Sequence, residues 1–353
     1  MLRGNLNAAS GADAARAADA AVARRDPSLK LPQPPARSTG AHGATGLNAA
    51  GYAPIVWGEC TSATQPGCDL VWAFFATKCK SGGSDLANAL EDAGIPLAAL
   101  GLGDPWMGWG HRIRRIHDWL LTVPDETLVI MSDADDVFLL PGCSREEVVA
   151  RYHDQDADVV WMSEKFIWPQ ESLMLDYPAV PPPPPGAANV SPFPFLNAGG
   201  AMGRARALRQ MIWDIYQHDC YDDQLSYTQH FLRHVSPTFK AEAPLRGSRD
   251  ANTEPGSHPN ATDRVDPISG VAVPRRPMVV KLDYYNHLFL STAGVSLGDI
   301  EPDTAAGRIR QRQTGGRACI LHQNGNKLRS DLLTDLKKAF KTGRWPVPAP
   351  MAT

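Results

Sequence analysis

The sequence predicts an α/β fold built on a mostly parallel sheet, and three observations carry that prediction. Apolar runs of strand length recur along the chain. Segments with helical spacing separate the early ones. One run ends abruptly in carboxylates, and open α/β sheets bind ligands at the carboxyl ends of their strands.

The first run is L-V-W-A-F-F-A-T (70–77), continuous enough for a strand covered on both faces. Ser84 is placed to cap a helix running through Glu91, with Gly94 closing it. I-P-L-A-A-L (95–100) reads as a second strand. R-I-R-R-I-H-D-W-L-L (112–121) spaces Ile113, Ile116 and Leu120 as a helix does. T-L-V-I-M-S (127–132) is a third buried strand. Ser144 with Glu147 has the pattern of a capping box. D-V-V-W-M-S (158–163) is a fourth strand. The second half is less regular. F-L-N-A-G-G-A-M-G (195–203) reads as a strand in which glycines permit close approach. Helices are expected at about 205–217 and 222–233, strands at 278–283 and 318–322, and a last helix from Leu328 to Lys341.

Residues 1–66 hold no sustained apolar period and read as a tail or linker. The folded domain is expected over 67–345, with an insertion at about 241–276 and a short tail at 346–353. Prolines and glycines gather in the N-terminal tail, in Pro181–Pro185 and in the insertion, consistent with these boundaries. A net charge of -3 argues against nucleic-acid binding, which demands a basic stripe. No run approaches the roughly 18 apolar residues of a membrane span. The Ala-rich N-terminus lacks the apolar core of a secretory signal and reads as an organellar transit segment or a disordered lead. Cys60, Cys68, Cys79, Cys143, Cys220 and Cys319 include no CxxC pair, so a structural zinc is not expected. A short Cys60–Cys68 loop and a set of reduced, partly buried thiols both remain open.

The most informative segment is V-I-M-S-D-A-D-D-V-F (129–138), where a buried strand gives way to Asp133, Asp135 and Asp136. Clustered carboxylates repel unless a cation compensates them. Hard divalent ions prefer oxygen ligands and often keep a substrate phosphate in their shell. The motif therefore suggests an ion bridging the protein and a diphosphate leaving group.

Further segments follow in a set order: F-L-N-A-G-G-A-M-G, Y-D-D-Q-L-S-Y-T and L-H-Q-N-G-N-K, with G-W-G-H-R-I-R-R-I, S-E-K-F-I-W-P and L-D-Y-Y-N-H-L-F beside them. With S-D-A-D-D-V they make the region from about 70 to 340 resemble the glycosyltransferase domain of procollagen lysyl hydroxylases and related collagen-type sugar transferases. The resemblance implies a GT-A fold, Rossmann-like with helices on both faces of the sheet. It implies Mn²⁺ and a UDP-sugar donor, hexose transfer (glucose or galactose) to a protein or glycan acceptor, and the secretory pathway as the compartment. Asp133, Asp136 and His322 become the metal ligands. Thr77, Arg112, Asp135, Gly199, Gly200 and Lys327 are expected toward the nucleotide and diphosphate. Asn197 and the pair Asp222 and Asp223 are expected at the reacting sugar, with no choice made between the two acids. Trp168 is expected in the acceptor-side pocket and Gln224 as a substrate-binding residue assisting the two acids, and Trp106 and Trp109 are further stacking candidates. A non-catalytic GT-A-like domain that binds sugar or a partner is the alternative.

Overall fold

The computed structural model describes residues 69–78, 81–185, 187, 189–216, 218–236, 239, 264–265, 272–273, 277–303, 308–325 and 338. The expected tails, most of the insertion, nearly all of the last helix, Lys327, Cys60 and Cys68 lie outside these residues.

The elements run β1 (Leu70–Phe75), α1 (Ser81–Asp92), β2 (Leu97–Leu100), α2 (Trp109–Leu120), β3 (Leu128–Ser132), β4 (Val137–Leu139), α3 (Arg145–Asp154), β5 (Val159–Glu164), β6 (Phe195–Arg204), α4 (Ala205–Ile215) and α5 (Asp223–Val235). Short strands follow: β7 (Arg264–Val265), β8 (Ala272–Val273), β9 (Val280–Leu282), β10 (Phe289–Ser291), β11 (Ile300–Asp303), β12 (Arg308–Gln311) and β13 (Ile320–His322). A six-stranded sheet has the order β2-β1-β3-β6-β5-β9. β1 is parallel to β2 and β3, and β5 to β9, while β6 runs antiparallel between β3 and β5. This is the mostly parallel α/β architecture that the alternation predicts.

The period-2 geometry of the strands decides which helix meets which face. Val71, Ala73, Phe75, Val129, Met131 and Trp161 point to a core built with α2, α4 and α5. Leu70, Trp72, Phe74, Leu128, Ile130, Val160 and Met162 point the other way, toward α1, α3 and a small second sheet. Burial on both faces explains why these strands read as unbroken apolar runs. The second sheet, in the order β10-β13-β4, joins β13 parallel to β10 and antiparallel to β4.

Local chemistry follows the sequence with some departures. Helix α1 begins at Ser81, before the expected cap at Ser84. Gly94 ends it with φ of 64°, and the Ile95 N–H reaches the Leu90 carbonyl at 2.9 Å. Ser144 caps α3 by accepting the Glu147 N–H at 3.3 Å. The Glu147 carboxylate does not complete the box; it pairs with Arg151 at 2.8 Å and with Arg308. The L-D-Y-Y-N-H-L-F segment is a turn organiser. Buried Asp283 accepts the backbone N–H groups of His287, Leu288 and Phe289 at 2.8, 2.6 and 2.7 Å. Strand β4 and the antiparallel β11–β12 hairpin were not anticipated. They are three or four residues long, too short for a period to show.

The reading of reduced thiols fails at two cysteines, while the Cys60–Cys68 loop lies outside the described residues. Cys143 and Cys319 form a disulfide across a sequence separation of 176, which no local spacing reveals. Cys220 is free and exposed. No helix among the described residues is long and apolar enough to cross a membrane.

Candidate active site

β3 is buried along its whole length and ends at Ser132. The Ser132 hydroxyl accepts the Trp72 indole N–H at 2.7 Å and donates to the Asp133 carbonyl at 2.8 Å, anchoring the strand tip. Beyond it the acids are half-buried at the edge of the sheet. β13 runs antiparallel to β4 so that His322 lies opposite Val137, next to Asp136. His322 Nε2 is therefore 3.3 Å from Asp133 Oδ2 and 3.5 Å from Asp136 Oδ1. One ligand atom from each of the three residues lies within 4.8 Å of the others. An octahedral ion with bonds of about 2.1 Å sets neighbouring ligand atoms about 3 Å apart, so the donor set fits a hard divalent cation with little movement.

The imidazole is oriented from behind. Asn197 Oδ1 accepts the Gly199 N–H at 2.8 Å, so the amide oxygen, not its nitrogen, faces that point. The same oxygen is 2.9 Å from His322 Nδ1, which must then donate to it. Nε2 is left to face the two carboxylates, as in metal-binding histidines whose other nitrogen is held by an outer partner. Burial alone would lower the His322 pKa. Hydrogen bonds and charges from Asp133 and Asp136 outweigh it and raise the value to about 9. In the ion-free protein a proton on Nε2 supplies the positive charge between the carboxylates. Burial also opposes ionisation of Asp133, yet Arg112 and His322 hold its carboxyl well below the usual carboxylate range.

The other expected residues divide into groups. Arg112, buried on α2, pairs with Asp133 Oδ1, sits 3.3 Å from Asp223 Oδ2 and reaches the Ala198 carbonyl at 3.4 Å. Its guanidinium is thus occupied by protein groups before any diphosphate arrives. The two adjacent acids separate by role. Asp222 is the N-cap of α5, its side chain accepting the Leu225 N–H at 2.8 Å. Asp223 turns inward toward Arg112. Burial raises its pKa, Arg112 lowers it, and Asp133 and Asp222 raise it again, to about 6.

Gly199 is where a Cβ would lie 2.0 Å from His322 Cε1 and 2.2 Å from Nδ1. Its missing side chain makes room for the imidazole. A Cβ on Gly200 would meet Met162 and Phe289, so that glycine serves the packing beneath the strand. These close approaches are between protein groups, where the sequence suggested approach to a ligand. Between Trp161 and Met162 the β5–β6 register shifts, pairing Trp161 with Ala201 but Met162 with Asn197. Such bulges re-aim side chains near functional sites.

Gln224 is a fastener. Its Nε2 reaches Glu164 at 2.8 Å, the Leu196 carbonyl at 3.3 Å and the Trp168 carbonyl at 3.4 Å, and its Oε1 accepts the Ala198 N–H at 3.2 Å. Trp168 is exposed, as are Trp106 and Trp109, which meet edge-to-face at 4.9 Å. Thr77, half-buried just past β1, accepts the Gly103 N–H at 3.1 Å through its carbonyl. Asp135 is half-buried between the two acidic candidates for the ion.

Two residues escaped sequence reasoning. Glu164 is a buried carboxylate bonded to Gln224 and, at 3.1 Å, to Asn324 Nδ2. Burial raises its pKa, with Gln224, Asn197, His322 and Asn324 opposing. Asn324 Oδ1 in turn accepts Ser291 Oγ at 2.8 Å and the Ala293 N–H at 3.2 Å. The available signal was an acid closing the buried run V-V-W-M-S-E, and a second polar residue within L-H-Q-N-G-N-K.

A mostly parallel α/β sheet with acids at a strand tip and an imidazole delivered beside them is the arrangement expected of a glycosyltransferase domain. Residues 69–239 match the PLOD GT domain family. Through that region the chain is similar to the glycosyltransferase domain of the procollagen lysyl hydroxylases. It is 29% identical over 147 residues to procollagen-lysine,2-oxoglutarate 5-dioxygenase of Drosophila melanogaster, covering 39% of this chain and 19% of that protein. To procollagen-lysine,2-oxoglutarate 5-dioxygenase 1 of Pongo abelii it is 29% identical over 192 residues, 51% of this chain and 25% of the other. To the multifunctional procollagen lysine hydroxylase and glycosyltransferase of Caenorhabditis elegans it is 27% identical over 176 residues, 46% of this chain and 23% of the relative. The matches thus span at most a quarter of these relatives' length. Among solved structures, a glycosyltransferase involved in the glycosylation of the major capsid of PBCV-1 aligns with 75% of this chain and 98% of its own, at 10% identity and a TM-score of 0.34.

Proposed function

We propose that this chain is a Mn²⁺-dependent hexosyltransferase that moves glucose or galactose from a UDP-sugar to an acceptor hydroxyl. The observation that carries this reading is the convergence of Asp133, Asp136 and the oriented Nε2 of His322 on one point. A bound ion there would supply Lewis-acid stabilisation of the departing diphosphate. The chain's own residues do the rest. Asp133, Asp136 and His322 hold the ion. Asn197 fixes the His322 tautomer, and Arg112 orients Asp133 while offsetting the charge of Asp223. Asp223, beside Arg112, is assigned to the reacting sugar, whereas Asp222 caps the helix that carries it. Thr77 and the exposed Trp106 and Trp109 border the nucleotide side, and Trp168 the acceptor side. Asp135 and Lys327 are assigned to the ribose and diphosphate. Gly200 supports the strand from beneath.

The family suggests hydroxylysine or galactosylhydroxylysine of a collagen-like protein as the acceptor. It also suggests the secretory pathway as the compartment, where a disulfide such as Cys143–Cys319 persists. The direct test is a panel of UDP-sugars with and without Mn²⁺, reading released UDP. Mn²⁺-stimulated release from UDP-glucose or UDP-galactose is expected. Donor binding with no turnover on any donor or acceptor would sink the transferase reading in favour of a binding domain.

A pH dependence follows. With His322 titrating at about 9 in the ion-free protein, a cation must displace the Nε2 proton to bind. Affinity for Mn²⁺ should therefore rise with pH between 6 and 8, by up to about tenfold per unit. Calorimetry at pH 7 in buffers of different ionisation enthalpy should show about one proton released per ion bound. No proton release would remove His322 from the ligand set.

A further inference from the structure

The Cys143–Cys319 disulfide lies at one end of the strand pair whose other end forms the candidate metal site. Asp136 immediately precedes β4, and Cys143 follows that strand. Cys319 immediately precedes β13, and His322 ends it. β4 and β13 pair at Leu139↔Ile320, Phe138↔Leu321 and Val137↔His322. The Leu140 N–H donates to the Cys319 carbonyl at 2.8 Å, and the Gln323 N–H to the Asp136 carbonyl at 2.7 Å. The pairing is short, and it joins segments far apart in sequence, so loop-closure entropy opposes it. A covalent link at one end converts the remaining hydrogen bonds into local ones.

The two ligands do not depend on the link equally. β13 is also paired with β10, and His322 is held by Asn197. β4 is the edge strand of its sheet and has β13 as its strand partner among the described residues. Asp136 is therefore the ligand whose position rests on this pairing. Glu147 lies close enough to both sulfurs to suggest an ion site of its own. Its carboxylate is committed to Arg151 and Arg308.

We infer that Cys143 and Cys319 are a positioning pair for the metal site: their bond holds Asp136 in register with His322, and its reduction weakens divalent-cation binding. This rests on the proposed ligand role of Asp136 and His322. The test measures Mn²⁺ affinity by electron paramagnetic resonance of the free ion. The full chain is compared oxidised, phosphine-reduced, and as C143A/C319A, with near-ultraviolet circular dichroism as the check on folding. Reduction and the double variant are each expected to weaken binding about tenfold with the native spectrum retained, and in Asp136→Ala reduction should change nothing further. Failure of the oxidised wild type to bind Mn²⁺ overturns the metal reading itself, and this inference with it. Equal affinity in oxidised and reduced wild type overturns the inference alone. So does an undiminished redox effect in Asp136→Ala. Loss of the native spectrum in both reduced protein and double variant also overturns it, since the bond would then support the fold at large.

Discussion

Asp136→Ala should abolish Mn²⁺-stimulated release of UDP while leaving the protein folded. The expected loss exceeds about a hundredfold, beyond the 10–100-fold typical of losing an outer partner of a metal ligand. Stability should change little, because the Asp136 side chain is partly exposed and faces His322 across 3.5 Å. Asp133→Ala should lose as much activity but cost stability as well. Its removal strips buried Arg112 of a direct partner and leaves Asp223 at 3.3 Å as the counter-charge. Breaking a buried ion pair from one side costs about 3–5 kcal/mol, and the surviving acid should keep the cost at or below the lower end. Turnover assays and thermal melts on the two variants separate these effects. Full metal-stimulated turnover in Asp136→Ala would remove the carboxylate from the site.

The second large effect is expected at a residue that offers no chemistry. In Gly199→Ala the new methyl would stand 2.0 Å from His322 Cε1, a distance that real Cβ atoms do not tolerate. The backbone at Gly199 is not among the positive-φ positions, so the conflict is steric. The ring must shift, and both its hydrogen bond to Asn197 and its aim at the carboxylates shift with it. Mn²⁺ affinity should fall by more than about tenfold, with a loss of stability of about 1–3 kcal/mol for overpacking. Gly200→Ala is the control. Its nearest conflict is the terminal methyl of Met162 at 2.7 Å, a flexible group that can give way. That variant should lose stability yet bind the ion almost normally. Equal metal affinity in the two alanine variants would show that the space beside His322 is not what Gly199 provides.

The legibility of this protein differs between its fold and its site. The long buried strands were visible because apolar runs such as L-V-W-A-F-F and L-V-I-M-S need no partner to be recognised. β4 and the β11–β12 hairpin were not, since their three or four residues exist as strands only through the partner they meet. The three candidate ligands, Asp133, Asp136 and His322, were readable from ordered motifs. The support around them was not: the Asn197 oxygen on Nδ1, Arg112 buried between Asp133 and Asp223, and Glu164 tied to Gln224 and Asn324. Asp222 and Asp223 show the boundary well. Neighbours in sequence, they could not be told apart until the start of α5 made one a cap and turned the other inward.

Sequence alone determined the class of fold, the strand that ends in acids and the residue types able to hold a hard cation, because periodicity and ligand chemistry are local properties. Tertiary structure decided which of those residues meet. The β4–β13 register, the disulfide beside it and the empty side of Gly199 bring His322 to Asp133 and Asp136, and such long-range contacts leave no periodic trace in the chain.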